Sequence, residues 1–131
     1  MKPINILIAD DHAIVREGLS AIFEYQKDFA VVGQAVDGKD AVRQAERLRP
    51  DIVLLDLMMP VMDGVRATAL IREKCPEARI LILTTFGSSA SLVTCFENGA
   101  TGAITKNLPK EDIFDAIRKV AAGERVVSTE V

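Results

Sequence analysis

The sequence contains few of the residues that cross-link small secreted domains or bind transition metals. Among its 131 residues are two cysteines, one histidine and no tryptophan. Cys75 and Cys95 lack the spacing of a redox pair or a zinc site, so we expect two reduced thiols. His12 directly follows two aspartates, but we expect it to start a helix near the rim of a pocket rather than to bind a metal.

Long apolar runs and an excess of basic residues are also absent. No apolar run exceeds strand length, which excludes a membrane-spanning helix, and no secretory leader opens the chain. We therefore expect a cytoplasmic protein with no membrane partner. The net charge is −3 and the basic residues are scattered, so this chain is not expected to bind DNA by itself. No glycine-rich turn follows the first apolar run, which excludes a nucleotide-binding Rossmann domain.

One short aliphatic run, residues 52–55, ends on the carboxylate of Asp56 and is bounded by Pro50 and Pro60. A run of this length between turn residues predicts a strand that is buried on both faces of a parallel sheet. Asp56 would then lie at the carboxyl end of that strand, where open α/β sheets place their ligand sites.

Five strand-like runs alternate with five helical patterns. The predicted strands are residues 4–9, 29–36, 52–56, 79–84 and 102–105. The first predicted helix has an inward-facing stripe of Val15, Gly18, Leu19, Ile22 and Phe23. The second covers residues 39–49 and is capped by Asp37, and the third covers residues 65–74. The fourth starts at Ser88 or Ser89 and ends before Gly99, and the fifth extends from Pro109 to Gly123. This alternation predicts right-handed crossovers and a parallel sheet that is covered on both faces.

Charged and hydroxyl side chains stand where four of these strands end. Asp10 and Asp11 follow the first strand, Asp56 ends the third, Thr84 ends the fourth, and Lys106 follows the fifth. Carboxylates in contact repel by roughly 1 kcal/mol in water and by several kcal/mol near a protein surface, so a cation is required among them. Oxygen ligands favour Mg²⁺, and the whole set suits the transfer of a phosphoryl group to a carboxylate.

This ordered set resembles the receiver domain of bacterial two-component response regulators, in detail the NarL/FixJ subgroup with LuxR-type output. The matching motifs are residues 6–12, 56–64, 83–85 and 99–102, and Lys106. The resemblance implies a flavodoxin-like fold with a doubly wound five-stranded parallel sheet in the order 2-1-3-4-5 and five helices on two faces. It places the receiver domain at residues 1–123 and the start of an interdomain linker at 124–131.

The resemblance also implies a role for each site residue. Asp56 would accept a phosphoryl group from a sensor histidine kinase, Lys106 would contact a phosphoryl oxygen, and Thr84 would report the modification. Mg²⁺ would be bound directly by Asp11 and Asp56, by Asp10 mainly through water, and by the backbone carbonyl of Met58. Such a domain is a regulatory phosphoacceptor that assists its own phosphorylation and dephosphorylation, rather than an enzyme acting on other substrates.

The expected output is transcription, through a C-terminal helix-turn-helix domain in a longer parent protein. The resemblance is compatible with a homodimer through the first and last helices, or through the fourth-helix face; solvated surface is the alternative for the first and last helices. Two alternatives stay open: a free-standing regulator that acts by protein binding, and a pseudo-receiver that takes no phosphate. Ala103 stands where many receivers carry an aromatic switch residue. A dehalogenase-type phosphoaspartate enzyme is disfavoured, because Met58 occupies the place of its second acid.

Overall fold

The structure, a computed structural model, describes residues 2–84 and 89–127. Within these residues, strands and helices alternate along the chain and form one sheet between two helical layers. The strands are β1 (Ile4–Ala9), β2 (Phe29–Ala35), β3 (Ile52–Asp56), β4 (Arg79–Thr84), β5 (Gly102–Thr105) and β6 (Val126–Val127). The helices are α1 (Ala13–Glu24), α2 (Gly38–Leu48), α3 (Gly64–Lys74), α4 (Ser89–Glu97) and α5 (Lys110–Ala121).

The sheet is parallel and has the order β2-β1-β3-β4-β5-β6. The predicted order of the first five strands is therefore confirmed, and the point where the strand order reverses lies between β1 and β3. The predicted number of strands is one too few, because Val126 and Val127 pair with Gly102 and Ala103 of β5. A pair of valines is too short to show strand periodicity, which explains why this stretch was predicted to be linker.

Two hydrophobic clusters cover the two faces of the sheet, and β3 contributes to both. Val53 and Leu55 belong to the cluster beneath α2, α3 and α4, whereas Ile52 and Leu54 belong to the cluster beneath α1 and α5. All of β3 is buried, as a strand covered by helices on both sides must be. No helix in the part of the chain that the structure describes is long and apolar enough to cross a membrane.

The helices begin close to their predicted positions because local capping residues set them. The Asp37 side chain accepts a hydrogen bond from the backbone N–H of Asp40 at 2.7 Å, which confirms the predicted N-cap of α2. In α1 the prediction for Gly18 is wrong. It is exposed, and nothing lies within 4 Å of the position its Cβ would occupy, because the inward stripe is centred on Leu19 and Phe23. The predicted cap Ser88 and the motif residue Thr85 lie outside the described residues.

The end of α5 carries a turn that redirects the chain towards β5. Gly123 has a φ of 94°, and its N–H donates to the carbonyl of Val120, while the N–H of Glu124 donates to the carbonyl of Lys119. This pair of bonds is a Schellman motif, which favours glycine at the left-handed position. The guanidinium of Arg79 donates to the last carbonyls of α5, at 3.2 and 2.5 Å.

The loop between β3 and α3 contains a strained residue. Val61 has a φ of 68° and is 77% exposed, and the N–H of Met62 donates to the carbonyl of Pro60 at 2.7 Å across it. A β-branched residue rarely adopts positive φ, since its side chain crowds the backbone there. Val61 therefore stores conformational strain in a loop beside the end of β3.

Replacing Val61 with glycine is expected to raise the free energy of unfolding by about 1 kcal/mol, because strain relief exceeds the entropy cost of glycine. The matched control is Val93→Gly, at an exposed position inside α4, which should lower that free energy by about 1 kcal/mol. Urea unfolding followed by circular dichroism measures both. A Val61→Gly variant less stable than wild type would show that the loop is not strained.

Candidate functional site

The carboxylates of Asp10 and Asp56 lie side by side because β1 and β3 are neighbouring parallel strands that end at the same edge. Asp10 is 1% exposed and Asp56 4% exposed, whereas Asp11 is an exposed residue whose side chain is 29% accessible. Ligand atoms of Asp10, Asp11, Asp56 and His12 all lie within 4.8 Å of one another. The structure thus brings together the three predicted acids at the point where the strand order reverses.

Lys106 reaches into this acidic cluster from the end of β5. Its Nζ lies 2.6 Å from Oδ2 of Asp10 and 3.3 Å from Oδ2 of Asp56. The backbone N–H of Lys106 donates to the carbonyl of Thr84 at 2.9 Å, which ties the start of the following loop to β4. The predicted lysine is therefore in place, and its single positive charge lies between the two buried acids.

Burial and charge shift the titration of both partners. Burial raises the pKa of the Asp56 carboxyl group, and the charge of Asp10 raises it further, although Lys106 and the Met58 amide oppose these effects. Burial alone lowers the pKa of Lys106, but its hydrogen bond to Asp10 and the charges of Asp56 and Asp10 together raise it. The surrounding acids therefore favour the charged form of Lys106. Burial and the charge of Asp10 disfavour the ionised form of Asp56.

The donor set fits a hard divalent cation. Three carboxylates supply oxygen atoms, the ligand type that Mg²⁺ prefers, and a single lysine leaves negative charge among them uncompensated. The backbone N–H of Met58 lies 3.4 Å from Oδ1 of Asp56, so the main chain after β3 turns back over the acid. Asp10, Asp11 and Asp56 are the side chains that could hold such an ion.

Two neighbours of the acids were not assigned to the site from sequence. His12 is the N-cap residue of α1, as predicted, but its Nδ1 also lies 3.1 Å from Asp10 and 3.2 Å from Asp11. The Arg16 guanidinium donates to the backbone carbonyl of Asp10 at 2.7 Å and so holds that residue in position. The contact of Arg16 could not be predicted, because an arginine one turn into a helix usually faces solvent. The contact of His12 could have been predicted, because His12 directly follows two acids in the sequence.

Two threonines lie opposite each other at the same edge of the sheet. Thr84 is 2% exposed and pairs in register with Thr105 of β5. The Thr105 hydroxyl is buried and has no hydrogen-bond partner among the described residues. Thr105 was not singled out from sequence, because a threonine in a strand commonly reflects β propensity alone.

The fold and these residues together define a signalling domain of the doubly wound α/β class, with an acidic pocket where the strand order reverses. The chain belongs to the response regulator receiver domain family, whose family model matches residues 6–118. The predicted family and the flavodoxin-like fold are therefore confirmed.

Individual relatives support the NarL-like, LuxR-family subgroup. The response regulator protein VraR of Staphylococcus aureus is 40% identical over 128 residues, which cover 98% of this chain and 61% of VraR. A LuxR-family two-component response regulator from Aurantimonas sp. SI85-9A1 has a TM-score of 0.91 at 39% identity, covering 98% of this chain and 92% of that one. The receiver domain of the putative regulator NarL from Mycobacterium tuberculosis has a TM-score of 0.90 at 29% identity, covering 95% and 100%.

Asp56→Asn is expected to stabilise the metal-free protein at pH 7 by a free energy on the order of 1 kcal/mol, because it removes one of the repelling charges. The folded wild-type protein holds the Asp56 proton more tightly than the unfolded chain does. Its stability therefore falls as the pH rises from about 4, the usual aspartate pKa, through the raised value. The advantage of Asp56→Asn should accordingly shrink as the pH falls towards 4.

Urea unfolding at a series of pH values measures this difference. The exposed Asp115 provides the control, because Asp115→Asn loses only an ion pair with Arg118 and should change stability by less than about 0.5 kcal/mol. A variant at Asp56 that is less stable than wild type at pH 7 would contradict the account of the site.

Magnesium chloride is expected to raise the melting temperature, because an ion that binds only the folded protein stabilises it. At ten times the dissociation constant the increase should be about 5 °C. Asp11→Asn should remove most of this increase, whereas Asp51→Asn, at the opposite end of β3, should retain it. Scanning calorimetry with and without magnesium chloride measures the change in melting temperature of each variant. Equal increases in Asp11→Asn and Asp51→Asn would argue against Mg²⁺ binding at the acidic cluster.

Proposed function

We propose that this receiver domain accepts a phosphoryl group on Asp56 from a sensor histidine kinase and switches conformation in response. The observation that carries this proposal is the buried Asp56 carboxylate, held 3.3 Å from Lys106 Nζ beside two further acids at the edge of the sheet. A buried carboxylate among charged neighbours is a positioned nucleophile. Membership of the receiver family supports the same assignment.

In the proposed reaction, an oxygen of Asp56 attacks the phosphorus of a phosphohistidine. The new P–O bond forms as the P–N bond breaks, and the released imidazole takes up a proton. Lys106 is already charged and would move its ammonium group from Asp10 towards a phosphoryl oxygen. Mg²⁺ bound by Asp11 and Asp56, by Asp10 mainly through water, and by the Met58 carbonyl would offset the negative charge that develops.

The switch would be a shift between two populations of the same domain. The Thr84 hydroxyl lies at the edge of the sheet next to β3, where a phosphoryl group on Asp56 would offer it an acceptor. Movement of Thr84 would remodel the face formed by α4 and Asn98; the predicted start of that face, Ser88, and the residues directly after Thr84 lie outside the described residues. Ala103 is fully buried and offers no aromatic ring to turn, so the switch here would depend on Thr84 and α4 alone.

The chain spans 61% of the length of VraR, and we propose that its output lies in a longer parent protein. In that parent, residues 1–123 would form the receiver domain, a linker would begin within residues 124–131, and a C-terminal helix-turn-helix domain would bind DNA. Dimerisation through α1 and α5, or through the α4 face, would connect phosphorylation of the receiver domain to DNA binding by the output domain. The domain would work in the cytoplasm, as the partner of a kinase there.

Incubation with acetyl phosphate and Mg²⁺ is expected to add one phosphoryl group, which intact-mass spectrometry detects. Asp56→Asn should abolish the adduct because the attacking oxygen is lost, and omission of Mg²⁺ should greatly reduce it. Asp51→Asn is the matched control, since it changes an acid at the far end of the same strand.

The alternatives predict different results. A pseudo-receiver would form no adduct under any condition, and an adduct that persists in Asp56→Asn would overturn the assignment of the phosphoacceptor. A free-standing regulator would form the same adduct, and the length of the parent protein distinguishes it from a transcription factor.

A further inference from the structure

The segment that follows α5 is docked on the outer edge of β5. Val126 and Val127 pair with Gly102 and Ala103 in a parallel arrangement, and Val126 packs against the cluster beneath α1 and α5. The docking depends on a glycine, because a Cβ on Gly102 would lie 2.6 Å from the Val126 carbonyl oxygen and 3.0 Å from Leu81 Cδ1. The edge of β5 is therefore shaped to accept this segment.

The same segment also contacts α4. The Arg125 guanidinium lies 4.8 Å from the centre of the Phe96 ring, a cation–π geometry. Val93, Phe96 and Glu97 of α4 form a groove of about 380 Å³ together with Arg125 and Val127. Residues 124–127 thus touch β5 on one side and α4 on the other.

Few contacts hold this segment in place. Among the residues that the structure describes, two of this segment pair with β5, and Glu124, Arg125 and Val127 are exposed. A short edge strand of this kind belongs to the least stable part of a fold and can open without global unfolding. In contrast, α4 is anchored by the buried side chains of Leu92 and Cys95, so a change in its position would carry Phe96 with it.

We propose that residues 124–127 form a releasable latch, here called the β6 latch, which joins α4 to the chain beyond residue 127. The latch is docked while the Arg125 guanidinium contacts the Phe96 ring. It is released when α4 moves after Asp56 is phosphorylated. This inference rests on the proposed function, since phosphorylation supplies the bias. The coupling is reciprocal: if phosphorylation favours release of the latch, a substitution that releases the latch favours the phosphorylated conformation by the same coupling free energy.

Hydrogen–deuterium exchange of the full chain, with peptides that cover residues 124–127, tests the latch. Mg²⁺ plus beryllofluoride, a phosphoryl mimic, should increase exchange in these peptides. Without the mimic, Phe96→Leu and Arg125→Gln should each increase it by about two- to fivefold, the size of an exposed cation–π contact. Thr94→Ala is the control on α4, because the Thr94 hydroxyl donates only within the helix, and it should leave exchange unchanged.

A second variant tests the strand pairing itself. Gly102→Ala should remove protection from the β6 peptides while β1 peptides stay protected, and by linkage it should tighten beryllofluoride binding. Protected β6 peptides in Gly102→Ala, or equal exchange with and without bound beryllofluoride, would overturn the latch. Asp56-dependent beryllofluoride binding is followed separately by ¹⁹F NMR. If beryllofluoride binds and exchange in residues 124–127 does not increase, the latch hypothesis is wrong and the proposed function stands. If beryllofluoride does not bind, the proposed function is contradicted, and so is the coupling of the latch to it.

Discussion

The structure depends on a charge balance at one edge of the sheet. Asp10 and Asp56 are buried side by side, and Lys106 crosses from β5 to contact both. Each acid alone would be costly to bury, and the lysine offsets only part of their repulsion. The pocket is stable because two hydrophobic clusters hold β1 and β3 in register beneath it, so the core stabilises an arrangement that the acids themselves oppose.

Unfavourable local features lie at the acidic cluster, in the loop beside it and at the edge of the sheet. Burial raises the pKa of the Asp56 carboxyl group, and Val61 adopts a left-handed conformation in the adjoining loop. In the described part of the chain, β6 pairs with β5 through two residues. Strain and weak pairing of this kind persist where the surrounding fold enforces them. In the proposed function, a phosphoryl group on Asp56 would add charge to this site, and the proposed coupling of α4 to β6 would carry its effect to the next segment.

Much of this architecture could be predicted, because buried parallel strands leave a strong pattern in sequence. The aliphatic run that ends at Asp56 and the cap at Asp37 were both recognisable locally. Other features had no local pattern. The outward position of Gly18 depends on how α1 lies on the sheet, and the role of Arg16 depends on the backbone of Asp10, which its own position in sequence does not reveal. The pairing of Val126 and Val127 required an open β5 edge, which periodicity cannot show.

The sequence by itself determined the order of strands and helices, the family, and which acids, lysine and threonine end the strands. Hydrophobic periodicity and turn residues are properties of neighbours along the chain, and for that reason they can be read without coordinates. Only the tertiary structure decided that Lys106 pairs with Asp10 as well as Asp56, that His12 contacts two carboxylates, and that residues 124–127 dock between β5 and α4. These contacts join residues far apart in sequence or depend on side-chain direction, and the packing of the sheet sets them.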